Sequence, residues 1–168
     1  MKKQILLLFS AAMITAGNMF AQTYGRGVLT NDGSCTATGT GGGCTDTYIG
    51  SGTGANNTGN YNTFIGADAA NANTASSENV ALGYRAYYTQ NYQVAGPWSS
   101  YNVAIGNYSL FSILSTSTTN GYRNTALGFK SGYSNTTGND NLFEGYQAGF
   151  SNTTGGSNVF SGFESGYY

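Results

Sequence analysis

"NTALGFKSGYSNTTGNDNLFEGYQAGFSNTTGGSNVFSGFESGYY", from Asn124 to Tyr168, states nearly the same phrase three times. Extending its frame toward the N-terminus recovers four more phrases: "DTYIGSGTG" from Asp46, "NTFIGADAA" from Asn62, "NVALGYRAY" from Asn79 and "NVAIGNYSL" from Asn102. The seven starts are 16, 17, 23, 22, 17 and 17 residues apart. Self-similarity at so short a period marks a solenoid, in which each unit is one coil.

Each column of the alignment has its own chemistry. Position one is Asp46, Asn62, Asn79, Asn102, Asn124, Asn141 and Asn158, residues that bond their own backbone and mark corners. Stacked in register, these side chains can also form an amide ladder. Position three is apolar throughout, from Tyr48 and Phe64 to Phe160. Position five is always glycine: Gly50, Gly66, Gly83, Gly106, Gly128, Gly145 and Gly162. That predicts a positive φ, or a close approach of another backbone. Position eight is always small. Such short units are too brief for helices and predict an all-β parallel solenoid of about seven coils, roughly 34 Å long at the spacing of stacked strands. The longer intervals, including "YTQNYQVAGPWSS", are expected to bulge out and expose side chains such as Trp98.

Position four is harder to place. It is Ile or Leu in five phrases but Glu144 and Ser161 in the last two. With a strand period of two it lies opposite position three. The two polar residues are compatible with a neighbour that diverges there, or with Phe143 and Phe160 taking over the packing.

The start of the chain has the form of an export signal. Lys2 and Lys3 precede an apolar run from Ile5 to Ala16, and Ala21 supplies a small residue before a cut at Gln22. The run is short for a membrane anchor, and no later segment is long and apolar enough to span as a helix. The expected organisation is therefore a signal peptide over 1–21, a glycine-rich segment over 22–45 and a repeat domain over 46–168. Export makes a disulfide between Cys35 and Cys44 the leading expectation, worth about 2–3 kcal/mol over so short a loop.

After cleavage four basic residues (Arg26, Arg85, Arg123, Lys130) face seven acidic ones, a net charge of −3. Without a basic patch, nucleic acid and anionic membrane are poor partners. With no histidine a Ser-His-Asp triad is excluded, and two cysteines make a poor metal cage, so no cofactor or metal is expected. The aromatic content of 14% argues against disorder and for an ordered β structure.

The phrases "NVAIG", "NTALG", "NVALGYRA" and "NTFIGADAA" resemble the head repeats of trimeric autotransporter adhesins, the YadA-like head; "NTALGFKSGYSNTTG" is also similar to repeats of exported surface proteins and phage tail fibres. The resemblance covers Asp46 to Tyr168. It implies a left-handed parallel β-roll, three chains side by side, and a surface that binds host or matrix components. The coils are longer than the usual head coil. The frame calls for another corner after Tyr168, and the expectation is that the chain is part of a longer fibre rather than one whose end is covered by another copy.

The leading expectation is thus a secreted or cell-surface structural and adhesive protein without catalysis, partnered by itself and by a glycan or matrix ligand. The aromatics Tyr84, Phe129, Tyr146 and Phe163, with the next column from Tyr88 to Tyr167, are expected to pack within or between chains, exposed members being able to stack on sugars. A polysaccharide-cleaving solenoid is the rival reading, with Asp68, Asp140, Glu144 and Glu164 as candidate carboxylates and Glu144–Glu164 as a conceivable pair. An ice-binding array is weaker, because Val80, Val103, Leu142 and Val159 interrupt the threonines at position two. Asn135 and Asn152 match a glycan-acceptor pattern, but corners favour the same residues.

Overall fold

The structure, a computed structural model, describes residues 28–29, 46–90 and 98–168. The expected signal segment, Cys35 and Cys44 lie outside the described residues. Every regular element among the described residues is a strand. In chain order they are β1 (Val28–Leu29), β2 (Thr47–Ile49), β3 (Thr63–Ile65), β4 (Ser76–Ser77), β5 (Val80–Leu82), β6 (Trp98–Ser99), β7 (Val103–Ile105), β8 (Thr125–Leu127), β9 (Leu142–Glu144) and β10 (Val159–Ser161).

Seven of these strands form one parallel stack in the order β2-β3-β5-β7-β8-β9-β10, an arrangement compatible with a β-solenoid. Their register keeps like positions together: Thr47 pairs with Thr63, Thr63 with Val80, Val80 with Val103, and so on to Val159. The frame visible in the sequence is therefore the pairing frame of the sheet. Two features lie outside it. β1 pairs antiparallel with β2, closing the first edge of the stack, and β4 pairs with β6 in a separate two-stranded sheet.

Each strand stops after three residues because the glycine at position five turns the chain. All seven of these glycines have φ between 117° and 138°, which side-chain-bearing residues rarely adopt. A Cβ on Gly50 would also lie 2.6 Å from the carbonyl oxygen of Gly66 in the next rung. Positive φ and the close approach of the next rung's backbone thus both require glycine here.

Beyond the glycine the chain keeps pairing along the axis without forming ladders of strands. The N–H groups of Ala70, Tyr87, Leu110 and Gly132 donate to the carbonyls of Ala86, Ser109, Ser131 and Ala148, each in the next rung. This segment needs left-handed residues at three places per rung. At position seven they are Asp68, Arg85, Tyr108, Lys130, Gln147 and Glu164, with φ from 52° to 60°. Such a conformation costs about 1–2 kcal/mol for a non-glycine residue. Axial hydrogen bonds offset it: the position-seven N–H groups of Lys130 and Gln147 bond the carbonyls of Asn107 and Phe129 at 3.0 and 2.9 Å.

The core is filled by an exchange of volume between positions three and nine. Where position three is large, position nine is small: Tyr48, Phe143 and Phe160 go with Gly54, Gly149 and Gly166, and Phe64 goes with Ala70. Where position three is Ala81 or Ala104, position nine is Tyr87 or Leu110, both fully buried. The fifth rung has Ala126 with Gly132, and its space is taken from either side: a Cβ on Gly132 would meet Phe143 at 2.6 Å and Leu110 at 2.9 Å. Close packing of this kind tolerates neither two large residues nor two voids.

Position four faces away from the core. Leu82 and Ile105 are 42% and 36% exposed, and Ile49, Ile65 and Leu127 are half-buried. Glu144 and Ser161 are exposed on the same face, where Ser161 Oγ donates to Glu144 Oε2 at 3.1 Å. Phe143 and Phe160 lie on the other side of the sheet and stack on each other at 5.7 Å. Trp98 corrects the expectation of an exposed loop residue. It is only 8% exposed, because Trp98–Ser99 returns to pair with Ser76–Ser77 and carries the indole into the fold.

Candidate functional site

The position-one side chains converge into a buried column. Asn102 shows the unit. Its Oδ1 accepts from the backbone N–H of Asn124 at 2.8 Å and from Asn124 Nδ2 at 3.2 Å. Its Nδ2 donates to Tyr87 Oη at 3.0 Å and to the Gly121 carbonyl at 2.9 Å. The same N–H to Oδ1 bond joins Asn79 to Asn62, Asn102 to Asn79, Asn141 to Asn124 and Asn158 to Asn141. Each amide replaces a backbone acceptor at a corner where the chain cannot supply one.

Asp46 heads this column and is the one carboxylate in it. Its Oδ1 accepts the Asn62 N–H at 2.5 Å, while Oδ2 accepts from Tyr48 Oη at 2.9 Å and Asn57 Nδ2 at 3.4 Å. Burial raises the carboxyl above its ordinary range, and the hydrogen bonds oppose that only in part. The Tyr48 phenol is likewise held protonated, by burial first and by the neighbouring Asp46 charge second.

A second amide column, which the aligned phrases did not reach, lies eleven residues beyond the first in each rung. It contains Asn57, Asn73, Gln90, Asn135 and Asn152, with Ile113 in the fourth rung. Asn73 Nδ2 donates to Asn57 Oδ1 at 2.7 Å, and Asn152 Nδ2 to Asn135 Oδ1 at 3.3 Å. Asn135 is fully buried, so the glycan-acceptor match there has no accessible amide in the folded chain.

The outer surface beyond the glycine column is aromatic. Tyr88, Phe111, Tyr133, Phe150 and Tyr167 stack in succession, with centroids 5.1–5.2 Å apart and planes within 20° of parallel. Beside them Phe129, Tyr146 and Phe163 stack at 5.2–5.4 Å. Tyr108 stands edge-on between Tyr84 and Phe129, filling the gap that Asn107 leaves in that column. Two cations sit between the tracks. Arg85 lies 5.1 Å from the Tyr84 centroid and 5.2 Å from that of Tyr88, and Lys130 lies 5.4 Å from both Phe129 and Tyr133. Tyr84, Phe129 and Tyr146 remain 37–44% exposed. The rings of each track thus pack on one another from rung to rung, as expected of this set.

The candidate carboxylates are distributed along the surface. Asp68 pairs with Arg85 at 3.4 Å and Asp140 with Arg123 at 4.0 Å. Glu144 lies on the outer sheet face against Ser161, whereas Glu164 lies beyond the glycine corner, its N–H bonded to the Tyr146 carbonyl. The register thus sets Glu144 and Glu164 in different columns. The threonines of position two share a column with valine and leucine, as the register makes explicit. No helix among the described residues is long and apolar enough to cross a membrane.

No protein-family model matches this chain, and neither a curated protein nor a solved structure matches it.

Proposed function

We propose that the chain is a non-enzymatic structural and attachment protein, secreted or held at the cell surface, whose repeats wind into a left-handed β-roll of seven coils and assemble as a homotrimer. The observation that carries this reading is the outer face of the parallel sheet. Val80, Leu82 and Ile105 are 36–42% exposed there, in a continuous aliphatic band with half-buried Val103 and Leu127. A flat apolar band on an exported protein is an aggregation hazard unless another surface covers it. Three copies meeting along this band would bury it, and the polar pair Glu144–Ser161 would lie where the chains part. The scattered carboxylates and the absence of histidine give no support to a hydrolase. Sedimentation of the secreted chain tests the assembly. A trimer that Leu82→Lys with Ile105→Lys converts to monomer is the expected result; a wild-type monomer at micromolar concentration overturns it.

A further inference from the structure

We infer that the first rung is built as a terminus, which refuses the last rung of a second copy and so keeps the stack from growing head to tail. The position-one ladder has a direction. In Asn79, Asn124, Asn141 and Asn158 the side-chain Nδ2 donates back to the Oδ1 of the rung before, at 3.0–3.2 Å. Asp46 keeps the forward half of this scheme, its Oδ1 accepting the Asn62 N–H. In the backward half it has an acceptor where those asparagines have a donor. That oxygen, Oδ2, takes Tyr48 Oη at 2.9 Å and Asn57 Nδ2 at 3.4 Å instead.

Joining two copies in the register of the stack sets Asn158–Gly162 of one against Asp46–Gly50 of the other. β10 pairs only with β9 among the described residues, and Val159 and Phe163 are each 72% exposed. The backbone groups are of the right kind for the joint. Along the stack the position-two N–H donates forward to a position-one carbonyl and the position-five N–H donates back to a position-four carbonyl, as in Val80 to Asn102 and Gly83 to Ile65. Val159 and Gly50 can repeat those bonds. Two features of the first rung oppose it. Asp46 Oδ2 meets the partner's Asn158 Oδ1, acceptor against acceptor. β1 also occupies the same edge, with Val28 and Leu29 registered on Ile49 and Tyr48, two of the three positions an incoming strand needs. A bare strand edge is a template for further pairing, and covering it is a recognised defence.

The experiment opens this edge in the full secreted chain. Asp46→Asn restores a donor, and Val28→Pro with Leu29→Pro removes the N–H groups of β1. Together they are expected to turn particles of fixed size into fibres that lengthen with concentration, followed by sedimentation and electron microscopy. Asp46→Asn alone is expected to tighten the lengthwise contact about tenfold, the effect of one added hydrogen bond. Proline is tolerated on edge strands, so Val159→Pro removes the donor of the opposite edge and is expected to return the combined variant to the wild-type size. Circular dichroism confirms that each variant is folded.

A folded combined variant that keeps the wild-type size overturns the inference. So do fibres that Val159→Pro leaves intact, since they grow from another surface, and wild-type fibres that Val159→Pro dissolves. If the proline pair prevents folding, Asp46→Asn carries the test alone, and association equal to that of the wild type overturns the inference. The sideways contact proposed for the trimer lies on position four, away from this edge. Particle mass of the wild type reports the trimer and fibre length reports the first rung, so the two readings fail separately.

Discussion

The column that starts at Asp46 and the column that starts at Asn57 are built from similar residues at a fixed offset of eleven, yet they are satisfied differently. In the first, each side chain bonds the backbone of the next rung, so the amide is part of the main-chain pairing. In the second, the amide mainly closes its own corner, as when Asn135 and Asn152 donate to Gly138 and Gly155 at 3.2 and 3.1 Å. The second column also breaks. Ile113 occupies it in the fourth rung, and the buried Gln90 Nε2 beside it has no hydrogen-bond partner. A column that carries backbone bonds between rungs cannot lose a member without orphaning a buried N–H. A column that closes local turns keeps its backbone N–H groups paired when it loses one, and leaves unpartnered only a side-chain amide, as at Gln90.

Truncation tests this contrast most directly. Asn102→Ala removes the acceptor of the Asn124 N–H and the donor to Tyr87 and Gly121. The expected loss is about 3 kcal/mol, since buried groups are left unsatisfied. Asn135→Ala removes two bonds of 3.2 and 3.3 Å, and the expected loss is about 1 kcal/mol. Urea unfolding of the two variants measures the difference, and equal losses would mean that the columns are equivalent after all.

The interruption provides the next test. Ile113→Ala opens a cavity in the core and is expected to cost about 3 kcal/mol. Ile113→Asn loses similar apolar burial but restores the column, giving Gln90 Nε2 an acceptor. Its cost is expected to stay within about 1 kcal/mol. A loss as large as that of alanine would show that the gap in the column is better filled by packing than by an amide.

The same contrast explains how much was legible in the sequence. The position-one amides, the position-three core and the glycines stand at fixed places within nine residues, so their column chemistry follows from alignment. The parallel register follows with them. The second column was equally regular, because Asn57, Asn73, Gln90, Asn135 and Asn152 each lie eleven residues past the start of their rung. It was hidden by the 16- to 23-residue spacing of the starts, although the added length falls entirely after it. The left-handed residues were not legible, since Arg85, Tyr108 and Lys130 carry no local preference for positive φ and are held there by axial bonds. Trp98 was misplaced for a related reason: pairing with Ser76 is a tertiary event that no period in the sequence announces.

The smallest expected effect lies at the head of the continuous column, where Asp46 replaces asparagine. Its carboxyl is raised by burial, so in acid the folded chain holds a proton that the unfolded chain has already released. Stability is then greatest at and below the ordinary carboxylate range, and this contribution is lost as pH rises through the raised value. Asp46→Asn keeps an acceptor for the Asn62 N–H without the buried charge. It is expected to gain slightly at neutral pH and to lose the decline in stability above the ordinary carboxylate range that the wild type shows. Subtracting the two unfolding profiles isolates Asp46 from the exposed carboxylates common to both chains. A difference that stays flat with pH would place the charge cost elsewhere. A variant weaker at neutral pH would mean that the charged acceptor, set against Tyr48 and Asn57, closes the column better than an amide does.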